Sequence, residues 1–263
     1  MKKIKYILTI AGSDPSAGAG IQSDLKTFKN HGLYGLSVIT TITSQNTFGV
    51  QNSFFLRNTI VSSQLRSILS DFKVKVVKTG ILGVGTAIRS VSSILKKIIG
   101  LKLIVDPVMM SKNKYYFMND ASIHFLKKYL MKITYLLTPN LFEAQHISGI
   151  NIHNKETLEI AVKKLYSFGC KNVIIKGGHF DKKIGFKPGT DILYNGKKFL
   201  YFTSPFIRTR NTHGIGCTFS AAIASNLALG YNLNTSIVKA KKYIIRSLKN
   251  RVKIGVGIGP VEI

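Results

Sequence analysis

Short runs of aliphatic and β-branched residues alternate along this chain with longer amphipathic stretches, and that alternation leaves few folds open. Residues 6–10, 36–42, 74–77, 103–105, 135–137 and 173–175 predict buried strands. Between and after them, residues 21–30, 61–72, 86–99, 120–130, 155–168, 218–229 and 235–249 predict helices, and Pro139-Asn140 opens one more. Gly169 follows the 155–168 helix and can take the left-handed cap conformation. Near the end, residues 192–194 and 197–201 flank Asn195-Gly196, a hairpin signal. Strand–helix repetition of this kind builds a mainly parallel sheet covered by helices on both faces, with the late hairpin antiparallel. No repeat, Pro-rich linker or break in composition divides the chain, so residues 1–263 are expected to form one domain. In such sheets ligands sit beyond the carboxyl ends of the strands. Every glycine-rich or carboxylate-bearing motif below follows a predicted strand.

The formal net charge of +27 first suggests nucleic acid as a partner. The 38 basic residues argue against it, because 31 are Lys and only 7 are Arg, the residue suited to bidentate recognition of bases and phosphates. The lysines are spread in pairs such as Lys96-Lys97 and Lys163-Lys164 along solvated faces, so no specific nucleic-acid partner is expected. Acids are scarce, 11 in all, so a carboxylate inside a motif carries weight. Two cysteines, Cys170 and Cys217, make no disulfide framework. Met1-Lys2-Lys3 resembles a signal n-region, but the apolar run from residue 6 to 11 is too short to follow it. The uncharged stretches 33–56 and 217–238 are rich in polar residues and Gly, so no membrane span is expected. A cytoplasmic protein fits.

Residues 211–222, Asn-Thr-His-Gly-Ile-Gly-Cys-Thr-Phe-Ser-Ala-Ala, set Gly214 and Gly216 at the mouth of an alanine-rich helix. Glycine lets backbone N–H groups approach an anion, and the helix N-terminus adds about half a positive charge. That suits a phosphoryl group in transfer, where positioning and charge stabilisation do most of the catalysis. No Gly-Lys-Ser/Thr follows, so this is not a Walker A loop. A thiol in the first turn of a helix is expected to have a depressed pKa, which would let Cys217 act as a general base on a substrate hydroxyl.

This run resembles the signature of the ribokinase-like superfamily, and most closely the hydroxymethylpyrimidine and phosphomethylpyrimidine kinases. The similarity continues in order through residues 8–16 and 18–28, Gly35 to Gln45-Asn46-Thr47, Lys78-Thr79-Gly80, Asp106-Pro107-Val108-Met109, Thr138-Pro139-Asn140 with Glu143, Lys176-Gly177-Gly178-His179 and Gly257-Ile258-Gly259-Pro260-Val261. The resemblance implies a ribokinase-like three-layer α/β/α fold. It also implies ATP-dependent phosphorylation of 4-amino-5-hydroxymethyl-2-methylpyrimidine, then of its monophosphate, in thiamine biosynthesis. Carried over by motif, Cys217 is the base, Gly214 and Gly216 form the anion hole, and Lys176 contacts phosphate. The pyrimidine pocket carries over to Gly12, Asp24, Gln45 and Val108. An aminopyrimidine edge offers a donor and an acceptor, which the Gln45 amide can match, and Asp24 could accept from the exocyclic amine. Asp106 and Glu143 are the candidates for Mg²⁺, a hard cation that takes one or two protein carboxylates besides water and phosphate oxygens. Family members resemble homodimers.

The chain departs from the family at four places. Ile215 replaces the Thr of the glycine turn, and Ile81 stands where Met is common. Ser111-Lys112-Asn113-Lys114-Tyr115 replaces Ala-Lys-Ser-Gly-Asp, which removes a glycine from a turn or lid. Val256 replaces a His near the C-terminus. Two other readings stand beside the first. One is a pyridoxal or pyridoxine kinase of the same superfamily, against which residues 11–15 and Gln45-Asn46-Thr47 speak. The other is a non-catalytic basic nucleic-acid binder, disfavoured by the intact glycine turn.

Overall fold

The computed structural model describes residues 4–178, 184–250 and 254–261. Nine strands form one sheet in the order β3-β2-β1-β4-β5-β6-β7-β8-β9. They are β1 (Tyr6–Ser13), β2 (Tyr34–Asn46), β3 (Gly49–Phe55), β4 (Val76–Thr79), β5 (Lys102–Val105), β6 (Leu136–Leu137), β7 (Val173–Ile175), β8 (Thr190–Tyr194) and β9 (Phe199–Thr203). The six strands from β2 through β7 in that order run parallel; at one edge β3 pairs antiparallel with β2, and at the other β8 pairs antiparallel with β7 and β9 with β8. From β1 the chain goes to β2 on one side and later crosses to β4 on the other, so the order reverses at β1. Such a reversal opens a crevice at the strands' carboxyl ends.

Alternate residues of each strand face opposite layers, as the two-residue period of a strand requires. Leu8, Ile10, Val77, Leu103, Val105, Leu137, Val173 and Ile175 join one buried cluster. It is closed by Val61 and Leu65 of α2 (Asn58–Asp71), Ile88, Val91 and Leu95 of α3 (Gly85–Leu95), Ile123 of α4 (Asp120–Phe125), Ile147 of α5 (Leu141–Ser148) and Leu158 and Val162 of α6 (Lys155–Ser167). Ile7, Val76, Ile104, Leu136, Ile174 and Leu193 join the other, closed by Phe28 of α1 (Gly20–Asn30), Phe219 and Ile223 of α7 (Ile215–Leu229) and Ile237 and Ile244 of α8 (Leu233–Lys249). This is the three-layer sandwich the alternation implies, with both faces dry.

Three differences from the sequence reading bear on the site. First, β2 runs on through Asn46 and turns back into β3, because the polar residues of 43–53 lie on an edge where the antiparallel ladder, not burial, holds them. Second, the predicted 120–130 helix ends as α4 at Phe125 and continues as a π turn, Leu126–Leu130. Third, α7 begins at Ile215 instead of residue 218, which places Gly216 and Cys217 inside its first turn.

Candidate active site

The site lies across the carboxyl ends of β1, β2, β4, β5, β6 and β7, beneath the N-terminus of α7. Gly214 is the N-cap of α7 with φ +79°, and a Cβ there would collide with the Gly18 carbonyl oxygen. Only glycine satisfies both conditions. A Cβ at Gly216 would lie 3.3 Å from Lys176 Nζ and 3.9 Å from Asp106 Oδ2, so the turn sits directly over that pair.

Lys176 follows β7, and its Nζ donates to Asp106 Oδ1 at 2.6 Å. Glu143 Oε2 lies 3.8 Å from the same ammonium. Burial would pull the Lys176 pKa down, but the Asp106 and Glu143 carboxylates outweigh it and hold the ammonium charged. Asp106 leaves β5 fully buried, with Ser220 Oγ of α7 3.2 Å from its Oδ2. Glu143 also holds the start of α5, through a capping box with Asn140, whose backbone N–H donates to Oε2 at 2.7 Å. Burial, helped by the Asp106 charge, pushes the Glu143 carboxyl up to about 7 against the pull of Lys176.

Cys217 stands in the first turn of α7 as read from the sequence, but its thiol departs from the expectation of a depressed pKa. Burial pushes it up to about 11. Lys78 pulls it down, but Asp106 and Asp24 add to the rise. Two carboxylates and lost water outweigh the helix N-terminus. Cys170 is a buried core residue.

Asp24 requires a correction. Its carboxylate is sealed from solvent beneath α1, where Lys78 Nζ donates at 2.8 and 2.9 Å and Thr9 Oγ1 at 2.6 Å. Fully buried, with three bonds from Lys78 and Thr9 on its oxygens, it presents no exposed face to a substrate amine. Gly12 lies near the end of β1, Gln45 near the end of β2 and Val108 just beyond β5. Gln45 and Val108 are half-buried and Gly12 is buried.

Residues that the motif reading gave no role tie this together. Asp14 Oδ1 accepts from the Ser16 backbone and hydroxyl at 2.8 and 2.7 Å, and Oδ2 accepts from the Gly18 and Ala19 N–H groups at 3.2 and 2.9 Å. His213 Nε2 lies 2.8 Å from Asp14 Oδ2. Asp191 of β8 accepts from the Gly177 N–H at 2.8 Å and pairs with Lys241, which steadies the residue next to Lys176. A lysine between Val77 and Thr79 in a buried strand was the available signal for Lys78. A charge there needs a partner, and few acids exist to supply one. His179 lies outside the described residues.

The departures from the family also find places. Ile215 packs its side chain toward the α1–α7–α8 layer. Val256 is exposed and lines an open cavity of 530 Å³ with Thr47, Phe48, Arg210, Thr212 and Ile258. Ser111–Tyr115 forms a strap that ties β3 to the segment before the glycine turn. Asn113 accepts from the Val50 N–H at 3.2 Å and donates to the Val50 carbonyl at 2.9 Å, while Lys112 donates to the Thr212 hydroxyl.

Residues 14–262 match the family described as Phosphomethylpyrimidine kinase. The thiamine biosynthesis bifunctional protein ThiED of Geobacter sulfurreducens is 41% identical over 97% of this chain, which spans only 51% of that longer protein. The hydroxymethylpyrimidine/phosphomethylpyrimidine kinase of Bacillus subtilis is 37% identical over 97% of this chain and 93% of its own length. Among solved structures, a pyridoxal kinase from Staphylococcus aureus in complex with AMP-PCP and pyridoxal superposes with a TM-score of 0.88 at 33% identity, covering 99% of this chain and 94% of that one. The fold is that of the ribokinase-like kinases. The chain belongs to the phosphomethylpyrimidine kinase family.

Proposed function

We propose that this chain transfers the γ-phosphoryl group of ATP to the hydroxymethyl oxygen of 4-amino-5-hydroxymethyl-2-methylpyrimidine, and then transfers a second phosphoryl group onto the monophosphate, for thiamine biosynthesis. The observation that carries this is the Gly214–Cys217 turn seated over Lys176 and Asp106. The N–H groups opening α7 and the Lys176 ammonium stabilise charge on the moving group. Cys217, as thiolate, takes the hydroxyl proton as the oxygen bonds to phosphorus and the bond to the bridging oxygen of the leaving ADP breaks. Gln45, Gly12 and Val108 hold the pyrimidine.

ATP as donor is supported by the ATP analogue in the S. aureus structure. The donor set also fits a hard divalent cation. Two buried carboxylates, Asp106 and Glu143, lie against one ammonium, that of Lys176. Among the described residues no three His, Cys, Asp or Glu side chains cluster, so Mg²⁺ held by Asp106 and Glu143 would be completed by water and phosphate oxygens. When bound it would neutralise charge on the triphosphate.

Phosphorus NMR of the products from the pyrimidine alcohol tests the reading. Monophosphate followed by diphosphate is expected, and no phosphorylated pyrimidine would end it. A second reading, pyridoxal as acceptor, is favoured by the similarity to the S. aureus pyridoxal kinase. A kcat/KM for pyridoxal above that for the pyrimidine alcohol would make it the first. We further assign residues 1–263 to one kinase domain. The unpaired edge of β3 exposes Phe48, Phe54 and Phe55, which supports a homodimer, and light scattering would show its mass. Both cysteines are free, which supports the cytoplasm, and no described helix is long and apolar enough to cross a membrane.

A further inference from the structure

His213 precedes the glycine turn and reaches away from it, to β2. Its backbone is fixed by bonds to the Gly259 carbonyl and the Val261 N–H, at 3.0 and 3.1 Å, and its ring fills the space where a side chain at Gly18 would stand. The ring's Nε2 meets two groups: Asp14 Oδ2 at 2.8 Å and the Gln45 amide at 3.0 Å. Asp14 takes only donors on its oxygens. Burial raises its pKa, but the bonds from His213 and Ser16 outweigh this and keep it ionised. His213 Nε2 therefore carries a proton and donates it to Asp14. A nitrogen that donates there cannot also accept from an amide N–H, so the group Gln45 turns to His213 must be its oxygen, Oε1.

The other side of the amide gives the same answer independently. Thr43 has one hydroxyl proton, and it donates to the Ser13 carbonyl at 2.9 Å. The other end of the Gln45 amide lies 3.3 Å from that hydroxyl oxygen, which has only lone pairs left to offer. That end must be the NH₂ group. A terminal amide rotates by a half-turn with no change of shape, so the hydrogen-bond network alone decides its sense.

We infer that His213 and Thr43 are positioning residues that hold the Gln45 amide with Oε1 toward the His213 ring and Nε2 toward the Thr43 hydroxyl, and so select the pyrimidine edge. The inference rests on the reading of Gln45 as a pyrimidine contact. One lone pair on Oε1 and one N–H on Nε2 remain free. They match an exocyclic amine on the His213 side and a ring-nitrogen acceptor on the Thr43 side. A 4-oxo pyrimidine presents N–H and C=O in the opposite order and meets like against like.

Two measurements test this. In the free protein, NMR cross-peaks from the Gln45 side-chain amide protons should run to Thr43 and not to the His213 ring; the reverse pattern overturns the inference whatever the substrate is. In the second, kcat/KM is measured for the 4-amino and 4-oxo pyrimidine alcohols with wild type, His213→Phe and Thr43→Val. The preference for the amino compound should fall about tenfold in each variant, mainly through KM for that alcohol, with KM for ATP held. Thr43→Val keeps the side chain's shape and lies away from the turn, so it decides the matter if His213→Phe does not fold. An unchanged preference, or equal losses for both alcohols, overturns the inference. Gln45→Ala separates the two claims: if KM for the amino alcohol is unmoved there, the pocket assignment fails, while the cross-peaks still report the amide's sense.

Discussion

Cys217 and Glu143 show how little a residue's position alone says about its chemistry. The first turn of a helix lowers a thiol's pKa, and Cys217 occupies that turn. Yet its thiol is pushed up to about 11, chiefly by burial, with Asp106 and Asp24 adding to it. Only the thiolate can take a proton. The rate of the free enzyme should therefore climb with pH, with log kcat/KM rising by about one per unit between pH 7 and 9. Cys217→Ala should lose ~10²–10⁴ in kcat and that slope together, with KM little changed. Wild-type turnover in the variant would remove Cys217 from the reaction. Glu143 offers a second titration. Its folded carboxyl is raised from 4.5 to about 7, so the fold favours the protonated form. That contribution is present at acid pH and is lost as pH climbs through the window between those values. Glu143→Gln can keep the capping box without a charge. In the metal-free protein its Tm should lack that decline and exceed the parent's at pH 8, and a lower Tm there would show that the charge stabilises the fold. The sequence shows which residues stand at the mouth of α7. It does not show Asp24 bonded to Lys78, because partners 54 positions apart meet only once β1, β4 and α1 have packed.

Elements were legible wherever one force dominated. The central strands β5, β6 and β7 are short, mainly apolar runs because both their faces are covered, and their positions match the expected ones closely. The edge strand β3 was not, since it reads Gly-Val-Gln-Asn-Ser-Phe-Phe and is held by its ladder to β2. The strap at 111–115 is the instructive case. Its sequence replaces the fourth residue of the family's Ala-Lys-Ser-Gly-Asp, a glycine, with Lys114. The backbone takes the left-handed conformation that favours glycine all the same, with φ +62° at Lys114. What holds it is the surrounding bonding. Asn113 grips both polar groups of Val50, Tyr115 OH meets Ser53 Oγ at 3.0 Å, and Met110 bridges Tyr116. A left-handed L-residue costs about 1–2 kcal/mol, partly offset in a Gly variant by the extra freedom of the unfolded chain. Lys114→Gly should thus stabilise the protein by roughly 0.5–1 kcal/mol in urea unfolding, with the strap's course unchanged. Destabilisation would mean that the lysine side chain contributes more than its backbone costs.

At the scale of the whole molecule, the 11 acids are not spread to balance 38 bases. Asp14, Asp24, Asp106, Glu143 and Asp191 are buried, and each sits against a cationic side chain or a His. Of the other described acids, Asp71, Asp120 and Glu156 are exposed and Glu159 is partly so. The surface is therefore almost purely cationic, and its charges repel one another more than they pair. Salt distinguishes the two populations, because a Debye length of about 8 Å at physiological ionic strength screens exposed charges and leaves buried pairs nearly untouched. In most proteins salt weakens attractive and repulsive surface terms alike. Here there is little attraction to lose, so chloride raised from roughly 0.05 M to 0.5 M should raise Tm by a few degrees, and pairing at the site should not suffer. The same field draws polyanions. Association with an unrelated duplex DNA should be measurable at low salt and fall steeply with log salt, without preference for sequence. Affinity that survives at about 0.15 M salt and discriminates between sequences would instead mean that the lysines form a recognition surface, and the reading of their spread as solvated helix faces would have to be given up.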